Sequence, residues 1–391
     1  IPAMKKVGYP PEHAGGIETA ASTCGPIVPP VMGIVAFVMV GFTGISYRSI
    51  VAVAILPALL YIFSATLYVT FQAGRLGIQH AAAVEVDKKE ILLRSPIFFG
   101  PLSVIAVLLL MEFSPMMAAF WGTITLVVVS LIRPKTRPSL SSFLSGLQKG
   151  AEIGSNVAAM CAVLGIMIVV TTMTGLAIKL PSAVIQLCGD NLLLVLILTW
   201  AICILLGCGL PTSAAYLLVA VTCAPILLKL GVPVLQAHLF VLYAAVFANI
   251  TPPIAIPAMF ASQIAGSNYM KTAIQSAFVG VAGFLLPFMI IFVPSLIFDF
   301  PEPLLAITSL IACPLIFIGL QPAIVGYFTK KLNLLERIFI ALSSGAFILY
   351  IYNTNFTWFA IGLAILATFI VWQIRLTRRE KQSPSVEGIT D

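Results

Sequence analysis

Residues 2–37, PAMKKVGYPPEHAGGIETAASTCGPIVPPVMGIVAF, and residues 225–260, PILLKLGVPVLQAHLFVLYAAVFANITPPIAIPAMF, align without a gap at an offset of 223. Ten positions are identical: Pro2/Pro225, Lys6/Lys229, Gly8/Gly231, Pro10/Pro233, Ala14/Ala237, Ala21/Ala244, Ile27/Ile250, Pro29/Pro252, Pro30/Pro253 and Phe37/Phe260. After a slip of one residue, Gly44-Ile-Ser-Tyr47 also meets Gly266-Ser-Asn-Tyr269. Each copy is interrupted at a proline pair, in Ser22-Thr23-Cys24-Gly25-Pro26-Ile27-Val28-Pro29-Pro30 and in Asn249-Ile250-Thr251-Pro252-Pro253. Two adjacent prolines remove two backbone donors and free the carbonyls one turn earlier, so each copy reads as a broken helix. Internal symmetry of this kind decides a membrane fold more firmly than any single motif.

The medium is set by composition. Of 391 residues, 60% are hydrophobic and 9% charged, and the mean hydropathy is +1.09. A soluble domain carries about 25% charged residues, so a water-soluble globule and a disordered chain are excluded. Apolar runs of about 20 residues recur without the alternation of barrel strands, which predicts an all-α polytopic membrane protein. The seven cysteines, at 24, 161, 188, 203, 208, 223 and 313, stand mostly in apolar stretches with no CxxC pair; they read as small core residues rather than a disulfide framework. Residue 1 is Ile and no signal peptide follows, so the chain is expected to continue upstream.

The net charge of +7 fixes the sides. Arg75, Lys88, Lys89 and Arg94 fill one loop, Arg133, Lys135, Arg137 and Lys149 a second, and Lys330, Lys331 and Arg337 a third. Arg375, Arg378, Arg379 and Lys381 mark the tail. Basic loops face the cytoplasm, which places Asp299, Glu302 and the Asn353–Asn355 turn outside. Spans 97–111 and 115–132 form a hairpin with Glu112 at its outer bend. Residues 76–94 and 139–152 read as connectors at the interface, and 155–178 as one crossing that delivers Asp190 outside. Lys5 and Lys6 then start the first copy inside, whereas the second copy ends inside, at Lys271. The repeat is inverted, as in secondary transporters whose two like halves bracket a site at the bilayer midplane.

Ahead of the second break, apolar arms 191–208 and 213–228 are joined by Gly207-Cys208-Gly209-Leu210-Pro211-Thr212-Ser213. Two glycines and a proline stop a helix, and no charge marks an exit to water. The segment reads as a re-entrant hairpin with its tip at mid-membrane; the first copy's hairpin is expected upstream of residue 1. Unwound backbone is tolerated at that depth only where it lines a cavity or is buried in protein. Freed carbonyls beside Thr and Asn oxygens suit a hard cation such as Na⁺, and helix N-termini after the breaks suit an anion. Prolines that only kink ordinary helices are the plainer alternative; breaks at matched positions beside a glycine-rich hairpin favour the site. Glu18, inside the first broken helix, is a weaker candidate. His238 and Glu152 read as solvated residues near helix ends, and Trp121, Trp200, Trp358 and Trp372 as interface anchors.

IPAMKKVGYPPEHAGGIETAASTCGPIVPPVMG, GLPTSAAY and HLFVLYAAVFANITPPIAIPAMFASQIAG resemble the large permease subunit (DctM-like) of the tripartite ATP-independent periplasmic, or TRAP, transporters. The likeness is to the fused type, with small-subunit-like helices upstream on the same chain, and runs from residue 1 to about 300. It implies an elevator-type permease of a bacterial or archaeal cytoplasmic membrane, importing an organic anion (a carboxylate) with Na⁺ and receiving it from a periplasmic binding protein. By position, Gly207, Gly209, Thr212, Asn249 and Thr251 would contribute to a Na⁺ site, and Thr23, Gly25, Pro26, Ser213 and Pro252 would line the substrate cavity. No Arg stands within the breaks, so the anion would rest on helix N-termini, hydroxyls or upstream residues. On this reading residues 1–72 hold the second part of the first inverted repeat and 73–154 cytoplasmic connectors with a scaffold hairpin. Residues 155–300 hold the second repeat, 301–375 additional transmembrane helices and 376–391 a cytoplasmic tail. A related Na⁺/dicarboxylate symporter working without a binding protein is the alternative. An enzyme is disfavoured because no HExxH, GxSxG or short paired-carboxylate motif occurs, and a Walker A motif is absent. No cofactor beyond the coupling ion and no nucleic acid is implied.

Overall fold

The computed structural model describes all residues except 31, 79–87, 133–135, 190, 301 and 383–391. Expectations placed on Arg133, Lys135, Asp190, the middle of the 76–94 connector and the last residues of the tail lie outside the described residues. So do the side chains of Lys88, Lys89, Arg94, Cys161, Arg378, Arg379 and Lys381. Among the described residues every regular element is helical, and seven helices are long and apolar enough to cross a membrane. The chain is an all-α, multi-pass membrane protein.

The repeat read from the sequence is present in the backbone. The first copy forms Pro2–Lys6, Pro11–Thr23, the 3-10 turn Gly25–Ile27 and Gly33–Thr43. The second forms Ala224–Lys229, Val234–Ala248 and Ile256–Ala265, with irregular chain between the last two. Each copy ends at a glycine with φ of +67°, Gly44 and Gly266, and a further helix starts at Tyr47 or Tyr269.

The helices divide into two compact units that cut across the copies: 1–22, 56–81 and 250–391 in one, 23–55 and 82–249 in the other. In the first unit the opening half of copy one packs on the closing half of copy two. Lys5 Nζ donates to Ala265 O at 2.6 Å. A Cβ on Gly16 would stand 2.6 Å from Gln275 Cβ and 3.0 Å from the Ser276 backbone nitrogen, so only glycine permits this helix approach. In the second unit the closing half of copy one, Gly33–Thr43, packs on Thr212–Thr222 and Val234–Ala248. Two broken helices running the same way would pair opening half with opening half. Within each unit the pairing is crosswise, one copy's opening half with the other's closing half.

The first unit also holds Pro303–Val325, Leu334–Asn353 and Phe356–Gln382. The last-turn carbonyls of Pro303–Val325 have no partner within the helix. Arg337 donates to Ala323 O (2.7 Å) and Ile324 O (3.1 Å), and Arg75 to Val325 O (2.6 Å). Two cations thus close a helix C-terminus, where its dipole favours them. Helix Leu334–Asn353 opens on a capping box of Asn333 and Glu336.

The second unit contains the expected hairpin, Lys88–Leu110 and Pro115–Ile132, with exposed Glu112 at its bend in the left-handed region. Elsewhere it departs from the sequence reading. Residues 139–152 are not a separate connector: one helix runs Leu140–Met173, capped by Ser139. Its 34 residues extend about 51 Å, beyond the roughly 30 Å of hydrocarbon, and no proline interrupts them. The crossing ends at 173 rather than 178, because Gly175 turns the chain with φ of +71°. A helix with no counterpart in the sequence reading, Leu176–Cys188, follows.

Candidate functional site

The first hairpin arm, Leu192–Gly207, has 16 residues without a charge, about 24 Å of helix. It starts where Asn191 Oδ1 accepts from Leu194 N at 3.1 Å and stops at Cys208, whose ψ of 125° leaves the helical region. Gly209 takes φ of +78°, open to glycine at little cost. Pro211 caps the second arm, Thr212–Thr222.

This tip packs directly on the end of Val234–Ala248, within the second unit. A Cβ on Gly207 would sit 3.0 Å from Ala248 Cβ and 3.6 Å from Ala245 Cα. Asn249 Nδ2 donates to Thr212 Oγ1 at 3.3 Å and to Ala245 O at 3.4 Å. Pro252 has no N–H to offer Ala248 O; Cys208 Sγ donates to that carbonyl at 3.7 Å. Gly207, Gly209, Thr212 and Asn249 are therefore gathered at one place, with Asn249 only 7% exposed. Thr251 follows two residues along the chain, in the other unit. The oxygens of Thr212 and Asn249, with carbonyls a turn from the prolines, are hard, uncharged ligands that fit a monovalent cation such as Na⁺ better than a soft metal.

The rest of the second break belongs to the first unit and is braced there. Ser276 Oγ donates to Ala273 O at 2.8 Å with Ile250 O at 3.4 Å as a weaker second acceptor, and Ala255 N donates to Thr251 O at 3.3 Å. Tyr269 donates its hydroxyl to Pro253 O at 2.6 Å and also to Ile254 O. In the second unit Tyr47 donates likewise to Pro30 O at 2.7 Å. Tyr47 and Tyr269, like Pro30 and Pro253, are repeat mates, so each copy buttresses its break with the same tyrosine. Both Pro29–Pro30 and Pro252–Pro253 are cis. In the sequence these tyrosines align as repeat mates, and the signal of their role is a tyrosine 17 residues after one proline pair and 16 after the other.

Of the substrate-cavity candidates, Thr23, Gly25, Pro26 and Ser213 lie in the second unit and Pro252 in the first. The turn Gly25–Ile27 packs on Val234–Ala248, Thr23 is buried, and a Cβ on Gly25 would meet open space. Ser213 stands in the first turn of its helix.

The isolated polar candidates divide. His238 is not solvated: it is buried, its Nδ1 is 2.9 Å from the Tyr216 hydroxyl, and the Phe42 ring stacks on it at 6.1 Å. An apolar helix packed on all faces carries it inward. Glu18 is exposed and accepts from Ser22 Oγ at 2.9 Å. Glu152 is exposed and accepts from Gln148 at 3.1 Å. Cys203, Cys223 and Cys313 are buried, whereas Cys24, Cys188 and Cys208 are partly exposed.

Compared with known families, residues 1–302 match the one described as "Tripartite ATP-independent periplasmic transporter, DctM component". No curated protein matches the chain.

Proposed function

Since the chain belongs to the DctM component family of the tripartite ATP-independent periplasmic transporters, we propose that it couples Na⁺ entry to import of an organic carboxylate. The carboxylate is delivered by a periplasmic binding protein to the outer face of a bacterial or archaeal cytoplasmic membrane. Small-subunit-like helices complete the permease, and the chain performs no covalent chemistry.

One observation carries this reading: the hairpin tip Gly207–Thr212 is held against the end of Val234–Ala248 by the Asn249–Thr212 hydrogen bond at 3.3 Å. Asn249 stands where the helix loses its donors to Pro252 and Pro253, so its side chain and the neighbouring carbonyls have oxygen lone pairs to spare. Gly207, Gly209, Thr212, Asn249 and Thr251 supply the cation site. Thr23, Gly25, Pro26, Ser213 and Pro252 line the path of the anion, which the positive ends of the helices after each break attract. A bound cation beside those helix ends lowers the cost of bringing a carboxylate to the same depth, which is the physical basis of coupling.

Uptake by the full-length protein in liposomes tests this, with a Na⁺ gradient present or collapsed and with binding protein added or omitted. Accumulation only when both are supplied is expected. Accumulation without binding protein would favour the Na⁺/dicarboxylate symporter, and accumulation without Na⁺ would overturn the coupling.

A further inference from the structure

Away from the breaks, the first unit holds a half-open pocket of about 310 Å³ lined by His13, Tyr68, Gln72, Arg75 and Gln275, with apolar side chains completing the wall. The polar groups come from three helices: Pro11–Thr23, Tyr47–Leu76 and Tyr269–Val279. Arg75 marks the side that the basic loops assign to the cytoplasm. Nothing in the transport reading uses this cavity.

Its hydrogen bonds leave a surplus of donors. Tyr68 donates to Gln275 Oε1 at 2.7 Å, which turns the Gln275 Nε2 amide into the free end. Gln72, 2% exposed, stands with Nε2 3.5 Å from His13 Nε2. That contact occupies the Gln72 amide and one edge of the His13 ring, and His13 Nδ1 is closed off from the pocket. Arg75 spends Nη1 on Val325 O and keeps further N–H groups of its fork. No carboxylate lines the cavity among the described residues; Glu12 is next to His13 in sequence but outside the lining. The Arg75 guanidinium and the Gln275 amide, facing no carboxylate among the described residues, describe a receptor for one negative charge. The planar fork matches a carboxylate in shape, and one cation balances a carboxylate better than a doubly charged phosphate. At about 30 Å³ per water, the volume holds an acid of a few carbon atoms.

We propose that this cavity binds a small monocarboxylate from the cytoplasm, clamped by Arg75 and Gln275.

Thermal melting of the full-length protein in detergent tests it, titrated with potassium propionate against potassium chloride at equal ionic strength. Potassium salts keep the experiment independent of the Na⁺ site. A saturable rise in Tm with propionate beyond that with chloride is expected. Arg75→Lys, which keeps the charge and loses the fork, and Gln275→Met, which keeps the length and loses the donor, should each raise the half-saturating concentration about tenfold. Asn249→Ala should leave it unchanged. A propionate effect no larger than chloride's, tighter saturation by inorganic phosphate, equal half-saturation in Arg75→Lys and Gln275→Met, or loss of the effect in Asn249→Ala would each overturn the proposal.

Discussion

Lys5 Nζ donates to Ala265 O at 2.6 Å, so the first residues of one repeat copy lie against the last residues of the other. The basic residues predict that the first copy starts and the second ends in the cytoplasm. The same unit carries Arg75 on Val325 O, which joins two of the basic loops.

That arrangement can be read by labelling. Lys331→Cys and Phe300→Cys stand on exposed residues at opposite ends of helix Pro303–Val325. With a membrane-impermeant maleimide on intact cells, position 300 should react and position 331 only after permeabilisation. Reaction at 331 in intact cells would reverse the topology.

Arg337 closes the C-terminus of Pro303–Val325 through the Ala323 and Ile324 carbonyls. Arg337→Ala should lower stability by about 1–2 kcal/mol, read as a lower melting temperature with the Na⁺ dependence of uptake unaltered. An unchanged melting temperature would show that Arg75 and water satisfy those carbonyls alone.

The paired tyrosines give a symmetric test. Tyr269→Phe and Tyr47→Phe each remove one hydroxyl from a break and should cost about 0.5–1.5 kcal/mol apiece. Because the breaks are equivalent in the repeat, both should reduce uptake per folded molecule. A loss confined to stability, in both variants, would make the tyrosines packing residues alone.

A Cβ on Gly207 would stand 3.0 Å from Ala248 Cβ, so a side chain there forces Ala248 to give way. Overpacking there costs about 1–3 kcal/mol, and a hairpin that only fills space would lose uptake in proportion to folded protein. Gly207→Val is expected to lose uptake beyond that proportion, because it pushes the tip off the break. Near wild-type uptake per folded molecule would argue that the tip is not part of the site.

Much of the architecture was legible because it is written as local backbone chemistry. Pro29–Pro30 and Pro252–Pro253 stop helices whatever surrounds them, and the glycines at 44 and 266 end the copies in the left-handed region. The helix Leu140–Met173 was not legible: its polar first third resembles an interfacial connector, yet a helix continues into water as readily as it crosses lipid when nothing terminates it. The burial of His238 depends on Tyr216 and Phe42, partners distant in sequence that no local pattern announces. Within the site, the sequence named the tip and break residues; the Cys208 donor to Ala248 O and the two bracing tyrosines emerged only from tertiary packing.

A cation site at the hairpin tip and Asn249, at the end of Val234–Ala248, is the core of the proposed coupling. It is tested most directly by the Na⁺ dependence of uptake in liposomes for Thr212→Ala, Asn249→Ala and Thr251→Ala, each compared at equal folded protein. Removing one oxygen ligand from a charged guest should cost roughly 1.5 kcal/mol or more and raise the half-saturating Na⁺ concentration about tenfold. Half-saturation by Na⁺ that stays at the wild-type value in all three variants would contradict the site.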